Sequence, residues 1–185
     1  MVPASRTVTV FTIGHSTRSL EELVDLLRRN RVQELVDVRT VPGSRRHPQF
    51  GKAALEAALP GLRIAYRHLP ELGGLRKPRP DSPNQGWRNA SFRGYADYMQ
   101  TEAFRLGIET LLGLAAHRRV CVMCAEAVPW RCHRSLIADA LSVRGVEVRH
   151  ITGPGEPAAH SLTPFAAVEG DRIRYPAADR LALDG

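Results

Sequence analysis

Lysine is nearly absent from this chain, which carries Lys52 and Lys77 and otherwise takes its positive charge from arginine. The formal net charge is +7. Because the planar guanidinium group matches phosphate and carboxylate groups, this charge predicts an anionic partner. An arginine-rich genome would produce the same charge without any partner, and net charge does not determine a fold or a reaction.

Cysteine is scarce, and long apolar runs are missing. The three cysteines lie between Cys121 and Cys132, which is typical of reduced thiols in a cytosol rather than of a disulfide framework. Residues 1–9 lack the basic start and apolar run of a secretory signal. No window approaches the ~18 consecutive apolar residues of a membrane-spanning helix. We therefore expect a cytoplasmic protein that has no membrane partner.

Length and composition are those of a globular protein with one main domain. A chain of 185 residues, 43% of them hydrophobic, buries a core without disulfides or a metal ion. We predict an α/β core over residues 1–152 and a C-terminal extension over residues 153–185. In the extension, two short strand-like runs flank Glu169-Gly170-Asp171, which predicts a small hairpin packed on the core.

Strand patterns and helix patterns alternate along the predicted core. Apolar, β-branched runs predict strands at residues 7–13, 34–39, 62–69, 119–124 and 146–151. Helices are predicted after the capping-box pair Ser19 and Glu22, at residues 52–59, at residues 91–116 with an interruption near Thr101, and from Pro129 towards Gly145. This alternation predicts an open, mainly parallel sheet with helices on both faces, a Rossmann-like three-layer arrangement.

Two long loops interrupt this alternation. Residues 40–49 contain Arg45, Arg46 and His47 and form an electropositive loop. Residues 70–89 are rich in proline, glycine and arginine and show no periodicity. Long loops in compact domains are often functional, so both are candidates for ligand contact.

Reactive side chains follow several predicted strands. Ligands bind beyond the carboxyl ends of the strands in open α/β sheets, so we predict one shared polar site there, although strand ends that simply meet water are polar too. The candidate catalytic residues are Cys124, Glu126, His15 and Asp37. The candidate anion-binding residues are Ser16, Arg39, Arg131, His133 and Arg134.

A second group of residues predicts a substrate pocket. Its members are Tyr66, His68, Gly73, Gly74 and Tyr95, with Trp87 and Tyr98 nearby in the sequence. Aromatic rings beside arginines stack on bases or sugars, and paired glycines let a backbone approach a ligand closely. The alternative is that Tyr95 and Tyr98 lie at the edge of a helix packed on the core.

The order of these motifs resembles that of a known family, the one called domain of unknown function family 488. The motifs are Ile13-Gly14-His15-Ser16, Asp37-Val38-Arg39 with Pro42 and Ser44, Tyr66 and His68 before Leu72-Gly73-Gly74, Gly94-Tyr95 with Tyr98-Met99, and Cys124 with Glu126 and Cys132-His133-Arg134. They span residues 8–151. The resemblance implies an α/β fold and brings no settled activity.

Cys124 is also a candidate nucleophile. Thiolates are favoured near cations and helix N-termini, and Arg131, His133 and Arg134 follow this cysteine. The layout resembles the loop of rhodaneses and cysteine phosphatases. Six residues separate Cys124 from Arg131, one more than in the phosphatase loop, and Glu126 would repel a bound phosphate. An inert buried cysteine is the alternative.

No metal site is expected. Cys121 and Cys124 lie three apart on a predicted strand and therefore point to opposite faces, which excludes a shared ion. A catalytic ion held by His15, Asp37, Glu126 or His133 stays open in principle, but these residues lack the spacing of zinc ligands. Nothing in the sequence identifies a cofactor or an oligomeric state.

Three functions fit these residues. The leading hypothesis is an enzyme that binds a phosphate-bearing small molecule or nucleotide at the strand ends. The second is a non-catalytic nucleic-acid-binding module that uses the basic loops at residues 39–47 and 76–93. The third is a sulfurtransferase or phosphatase-like enzyme based on Cys124.

Overall fold

One mostly parallel sheet forms the centre of the protein, whose computed structural model describes residues 7–178. Within this range the sheet strands are β1 Thr9–Gly14, β2 Glu34–Asp37, β3 Ala65–His68, β4 Val120–Cys124, β5 Glu147–Ile151 and β6 Ala158–Ala159. Their order is β3-β2-β4-β1-β5-β6. The first five strands pair in parallel, and the sixth pairs antiparallel at the edge.

Helices cover both faces of this sheet. They are α1 Leu20–Arg29, α2 Lys52–Ala58, α3 Ala90–Tyr98, α4 Glu102–His117 and α5 Arg134–Ser142. Short 3₁₀ turns lie at Pro48–Phe50, Pro60–Leu62, Pro70–Leu72 and Pro129–Arg131. One apolar cluster contains α1 and α2, and the other contains α3, α4 and α5. The predicted three-layer α/β fold is therefore confirmed.

Strand β4 shows how the sequence pattern separates the two layers. Val120, Val122 and Cys124 join the apolar cluster that contains α5, whereas Cys121 and Met123 join the cluster that contains α1. Successive side chains of a strand point to opposite faces, and all five residues of this central strand are buried. The two cysteines of β4 therefore lie in different layers, as their spacing predicts.

Local capping signals set two helix starts where the sequence predicts them. The Ser19 hydroxyl accepts from the Glu22 backbone N–H at 3.1 Å, and the Glu22 carboxylate accepts from the Ser19 backbone N–H at 2.7 Å. Thr101 caps α4 and so marks the interruption between α3 and α4. The two reciprocal bonds between Ser19 and Glu22 satisfy backbone N–H groups that a helix start leaves unpaired.

The predicted helix start at Pro129 is wrong. Residues Pro129–Arg131 form a 3₁₀ turn, and α5 begins at Arg134. Cys132 lies between them in an extended conformation, with φ −136° and ψ 147°, and this conformation breaks the helical run. The consequence is that Cys132 and His133 lie in front of the helix rather than inside its first turns.

The C-terminal segment contains the predicted hairpin and a strand that the sequence did not predict. Strands β7 Ala167–Glu169 and β8 Arg172–Arg174 form the antiparallel hairpin, while β6 joins the main sheet. Ile173 and Tyr175 are 2% and 0% exposed within the apolar cluster of α3 to α5. The proposed boundary between residues 152 and 153 stays a prediction, and the end of the predicted extension, residues 179–185, lies outside the described residues.

Asp97 of α3 orders the long loop at residues 70–89. Its carboxylate accepts from the Ser82 hydroxyl at 2.6 Å, from the Asn84 amide at 2.7 Å and from the Arg79 backbone N–H at 2.8 Å. Because loops lack a regular backbone pattern, such buried acceptors replace the hydrogen bonds that a helix or strand would provide.

A buried chain of polar groups, here called the Asp139 network, fastens the C-terminal segment to α5 and β5. Asp139 accepts from the Tyr175 hydroxyl and from His160 Nε2, each at 2.8 Å. His160 Nδ1 lies 2.9 Å from His150 Nε2, and His150 Nδ1 lies 2.6 Å from the Thr12 hydroxyl. A carboxylate can only accept, so His160 Nε2 and the Tyr175 hydroxyl both donate to Asp139, and burial lowers the pKa of His150 to about 4.

No helix within residues 7–178 combines the length and the apolar character needed to cross a membrane.

Candidate functional site

A pocket of about 560 Å³ opens at the carboxyl ends of β1, β2 and β4. We call this cavity the strand-end pocket. Seven of the predicted site residues line it, namely His15, Ser16, Arg39, Gly74, Cys124, Glu126 and His133. They come from four distant parts of the chain, which the parallel order of the strands brings to one edge of the sheet.

Gly14 lets the end of β1 meet the loop that follows β4. The His15 and Ser16 backbone N–H groups donate to the carbonyls of Cys124 and Ala125, each at 2.9 Å. A Cβ atom on Gly14 would lie 1.6 Å from the Glu126 carbonyl oxygen. No side chain fits in this contact, so the glycine holds the loop beside His15.

Arg39 is fixed at the pocket wall by Asp37. The Asp37 carboxylate accepts from Arg39 Nε at 2.9 Å and from a terminal nitrogen at 2.6 Å, and it also accepts from the Tyr66 hydroxyl at 2.7 Å. The Phe50 carbonyl accepts a further guanidinium bond at 2.6 Å. Asp37 is fully buried and does not line the pocket, so its role in this structure is to position the arginine.

His15 is a neutral side chain in the pocket wall. Its Nδ1 donates to the Ser16 carbonyl at 3.0 Å, so Nε2 accepts from Arg39 at 3.3 Å. Burial, with a smaller contribution from Arg39, lowers the pKa of His15 to about 4. The ring also stacks on Phe50 with 4.4 Å between centroids. His15 therefore enters any reaction at neutral pH as a hydrogen-bond partner without charge.

Cys124 and Cys132 form the floor of the pocket. Their sulfurs lie 2.7 Å apart, and the residues are 2% and 5% exposed. Burial opposes ionisation of Cys124, but the bond from Cys132 and the charge of Arg134 outweigh it, so the pKa of Cys124 lies below its ordinary value. Donation to Cys124, together with burial, raises the pKa of Cys132. Cys124 is therefore the more acidic thiol of the pair.

Arg134 supplies the positive charge that lowers the pKa of Cys124. It is 1% exposed and donates to the Glu126 and Ala127 carbonyls at 3.1 and 3.4 Å. No carboxylate among the described residues forms a salt bridge with it, and its Nε has no hydrogen-bond partner there. A buried cation without an anion is costly, and an ionised Cys124 would offset that cost.

His133 closes the far side of the pocket. Its Nε2 donates to the Val38 carbonyl at 3.0 Å, which leaves Nδ1 as an acceptor 3.5 Å from Cys132 Sγ. Burial lowers the pKa of His133 to about 4. A Cβ atom on Gly74 would lie 2.9 Å from this nitrogen, so the glycine makes the close approach possible.

Five predicted site residues support the pocket from behind, or lie away from it, instead of lining it. Tyr66 contacts Asp37, His68 Nε2 donates to the Arg39 carbonyl at 2.8 Å, and the Tyr95 hydroxyl donates to the Leu72 carbonyl at 2.8 Å. Gly73 packs against Thr40, and Arg131 is exposed outside the pocket. Arg134 likewise stays beneath the floor, so Arg39 is the one predicted anion-binding arginine that lines the pocket.

Three residues of the pocket rim, Thr40, Val41 and Leu75, were not singled out from the sequence. Ser44 and Cys132 also line the pocket, and both belong to the motifs by which the sequence resembles its family. Leu75 is 86% exposed and has φ +59°, and Ser16 has φ +49°. Left-handed backbone at residues other than glycine is strained, and such strain clusters at functional sites. The glycine pair before Leu75 was the available signal.

Within residues 7–178, no three His, Cys, Asp or Glu side chains lie close enough together to hold a metal ion. The strand-end pocket instead offers two thiols, of which Cys124 has a lowered pKa, two neutral histidines and a fixed guanidinium group. This set suits nucleophilic attack by sulfur on an anionic molecule.

Comparison with known proteins gives one match. Residues 19–141 match the family described as domain of unknown function DUF488. No curated protein and no solved structure matches the chain. The matched segment runs from the cap of α1 to the end of α5 and contains both Cys124 and Cys132. Since it covers well over half of the sequence, the chain belongs to the DUF488 family.

Proposed function

We propose that this chain is an enzyme that binds a phosphate-bearing small molecule or nucleotide in the strand-end pocket and attacks it with the Cys124 thiolate. The observation that carries the proposal is the buried Arg134 cation, which has no carboxylate partner among the described residues and lies beneath a cysteine on the pocket floor. A structural cysteine needs no such charge, whereas a nucleophile does.

The charge of the pocket wall supports an anionic ligand. Arg39 has five N–H donors, and four of them bond to Asp37, Phe50 and His15. The fifth is left for a ligand. His47 and Ser44 line the same side, and the exposed residues Arg45 and Arg46 lie between them in the chain. Electropositive rims raise the local concentration of anions.

The nucleic-acid-binding module is the weaker alternative, because several of its arginines are engaged within the protein. Arg79 pairs with Asp81 at 2.8 Å, Arg93 donates to the Trp87 carbonyl at 3.0 Å, and the Arg76 guanidinium lies 3.6 Å from the centre of the Tyr98 ring. A basic surface that binds phosphates along a strand needs its arginines free. Affinity for mixed-sequence DNA or RNA that falls steeply with salt is the result that favours this module.

We place this enzyme in the cytoplasm. Its three cysteines are free and buried, and Cys124 is most useful as a nucleophile where thiols stay reduced.

Alkylation of Cys124 tests the proposal. With iodoacetamide at pH 7, we expect Cys124 to react at least about tenfold faster than free cysteine, because a larger fraction is thiolate. Iodoacetate, which is anionic, should gain further over iodoacetamide, since the pocket attracts anions. Inorganic phosphate should slow both reactions by occupying the pocket.

Matched variants assign these effects to the pocket. Arg39→Gln should reduce the preference for iodoacetate, whereas Arg131→Gln, at an exposed position outside the pocket, should leave it unchanged. Cys121→Ser identifies the alkylated thiol, because burial raises the pKa of Cys121 and the residue is 0% exposed in the other layer. A Cys124 that reacts no faster than free cysteine rejects the proposal.

A further inference from the structure

Cys124 and Cys132 are a dithiol pair in direct contact. Cys132 Sγ donates to Cys124 Sγ at 2.7 Å, and both residues line the strand-end pocket. A disulfide bond is about 2.05 Å long, so a movement of less than about 1 Å would join the two sulfurs. A single nucleophilic cysteine does not need a second thiol at this distance.

The two sulfurs are unequal before any reaction. Cys124 accepts a hydrogen bond from Cys132 and lies above the Arg134 charge, whereas Cys132 carries the proton of that bond. The Cys132 sulfur also accepts the Arg134 backbone N–H at 3.4 Å, at the start of α5. Cys124 is therefore the first nucleophile, and Cys132 stays protonated beside it.

The inequality reverses once Cys124 forms a covalent bond. The largest cause that raises the pKa of Cys132 is its hydrogen bond to Cys124, and a substituted Cys124 sulfur no longer carries the charge that holds this proton. The Arg134 backbone N–H and the Arg134 charge remain, and His133 Nδ1 lies 3.5 Å away as a proton acceptor. Cys132 then becomes the thiolate of the pair.

We propose that the strand-end pocket carries out thiol–disulfide exchange on a small disulfide that bears a phosphate or carboxylate group, with Cys124 attacking first and Cys132 completing the exchange. This inference rests on the proposed function, because it takes Cys124 as the nucleophile and the pocket as an anion site. It adds the reacting bond of the substrate and a catalytic role for Cys132.

The exchange balances in two steps. The Cys124 thiolate attacks one sulfur of R–S–S–R′, the S–S bond breaks, and R′–S⁻ leaves while Cys124 holds R as a mixed disulfide. Cys132 then loses its proton to His133 or to R′–S⁻ and attacks the Cys124 sulfur, and R–S⁻ leaves. Two electrons pass from the dithiol to the substrate, and an external thiol such as dithiothreitol restores the reduced pair.

The second thiol selects this chemistry over phosphoryl or acyl transfer. A phosphorylated or acylated cysteine is released by attack at phosphorus or carbon, usually by water. A mixed disulfide is released by a thiolate that attacks sulfur. A buried thiol in contact with the nucleophile, beside a neutral imidazole whose other nitrogen is bonded to Val38, suits the second process.

The test uses the reduced full chain and 5,5′-dithiobis(2-nitrobenzoate), an anionic aromatic disulfide whose thiolate product is coloured. The parent protein should release two thiolates per chain in rapid succession and keep no adduct. Cys132→Ser should release one and retain the mixed disulfide on Cys124, as intact mass shows. Cys124→Ser, which lacks the first nucleophile, should release no more than one thiolate and form no internal disulfide.

Two controls define the site. Cys121→Ser should behave like the parent, because Cys121 is in the opposite layer. The uncharged bis(2-hydroxyethyl) disulfide should react more slowly relative to the anionic probe than it does with free cysteine. An equal ratio for the protein and free cysteine overturns the requirement for an anionic substrate.

Peptide mapping of the parent protein keeps the test valid if a variant fails to fold. Trypsin cleaves after Arg119, Arg131 and Arg134, so the expected disulfide links residues 120–131 to residues 132–134. A parent protein that keeps a stable adduct on Cys124, with Cys132 free, overturns the role of Cys132 and leaves the proposed function intact. Failure of Cys124 to react faster than free cysteine overturns both.

Discussion

The strand-end pocket and the Asp139 network both contain buried histidines, yet their hydrogen bonds are organised in opposite ways. Each polar group of the Asp139 network has a partner, from Thr12 to Tyr175. At the pocket, Arg39 keeps a free donor, and Arg134 has an unpartnered Nε. Buried groups without partners are rare in folded proteins. We infer that the Asp139 network stabilises the fold, whereas the pocket keeps polar groups available for a reaction.

The largest expected effect is the loss of stability in Asp139→Ala. This change leaves the Tyr175 hydroxyl, His160 Nε2 and the Thr163 backbone N–H without their acceptor in the interior. We expect the free energy of unfolding to fall by about 4 kcal/mol in urea titration.

Asp139→Asn is the matched control, because it keeps one acceptor oxygen and should lose less. The alkylation rate of Cys124 in the folded Asp139→Asn protein should stay at the parent value. A loss below about 1 kcal/mol in Asp139→Ala would show that the network does not hold the fold.

Acid should weaken both regions. The pKa values of His15, His133 and His150 are each about 4 in the folded protein, against 6.5 in the unfolded chain. As the pH falls, the unfolded state therefore binds protons at a higher pH than the folded state does. The contribution of these histidines to the free energy of unfolding is fully present above pH 6.5 and declines as the pH falls towards 4.

For His133 alone the full loss is about 3 kcal/mol. Urea titration between pH 7 and pH 4 measures the decline, and His15→Gln and His150→Gln should each flatten it. A free energy of unfolding that stays constant over this interval would contradict the neutral state of these histidines.

Arg134→Met should separate reactivity from stability. Without the buried cation the pKa of Cys124 rises, and we expect alkylation at pH 7 to slow about tenfold, with the pH profile of the rate shifted upwards. Stability should change by no more than about 1 kcal/mol, because an apolar side chain of similar volume replaces an unpaired charge. Arg131→Met, at an exposed position, should match the parent in both measurements.

The smallest expected effect is that of Tyr66→Phe. The variant loses one of the hydrogen bonds to Asp37, while both Arg39 bonds remain. The free energy of unfolding should fall by about 1 kcal/mol or less. The preference of Cys124 for iodoacetate over iodoacetamide should persist, and its loss would show that Tyr66 helps to place the arginine.

Much of the fold was predictable because its signals are local. The Ser19 and Glu22 pair and the cap at Thr101 act within one helical turn, and the alternation of strands and helices fixed the layers. The start of α5 was mispredicted because proline suits the first position of a 3₁₀ turn as well as of an α-helix.

The pocket was predictable in part for a similar reason. Strand ends meet at one edge of a parallel sheet, so His15, Arg39 and Cys124 could be brought together from their positions alone. The residues at and beneath the pocket floor could not be placed in this way. Arg134 and Cys132 are positioned by backbone turns that no hydrophobic periodicity of the sequence predicts.

The Asp139 network was missed because its five members come from five separate parts of the chain. Asp139 did leave a signal, since it interrupts the apolar run of Leu136, Ile137 and Ala140 on α5. An acidic residue at a buried helix position needs partners from elsewhere. The sequence does not say that they are His160 and Tyr175.

The position of β4 between β2 and β1 has a consequence for motion in this protein. A strand that is hydrogen-bonded on both sides loses these bonds only when the whole sheet opens. Cys124 therefore lies at the end of a rigid strand. The rim, by contrast, is carried by Val41 and Leu75, which are 72% and 86% exposed. Under the proposed function, a substrate would reach the pocket floor by passing these two exposed side chains.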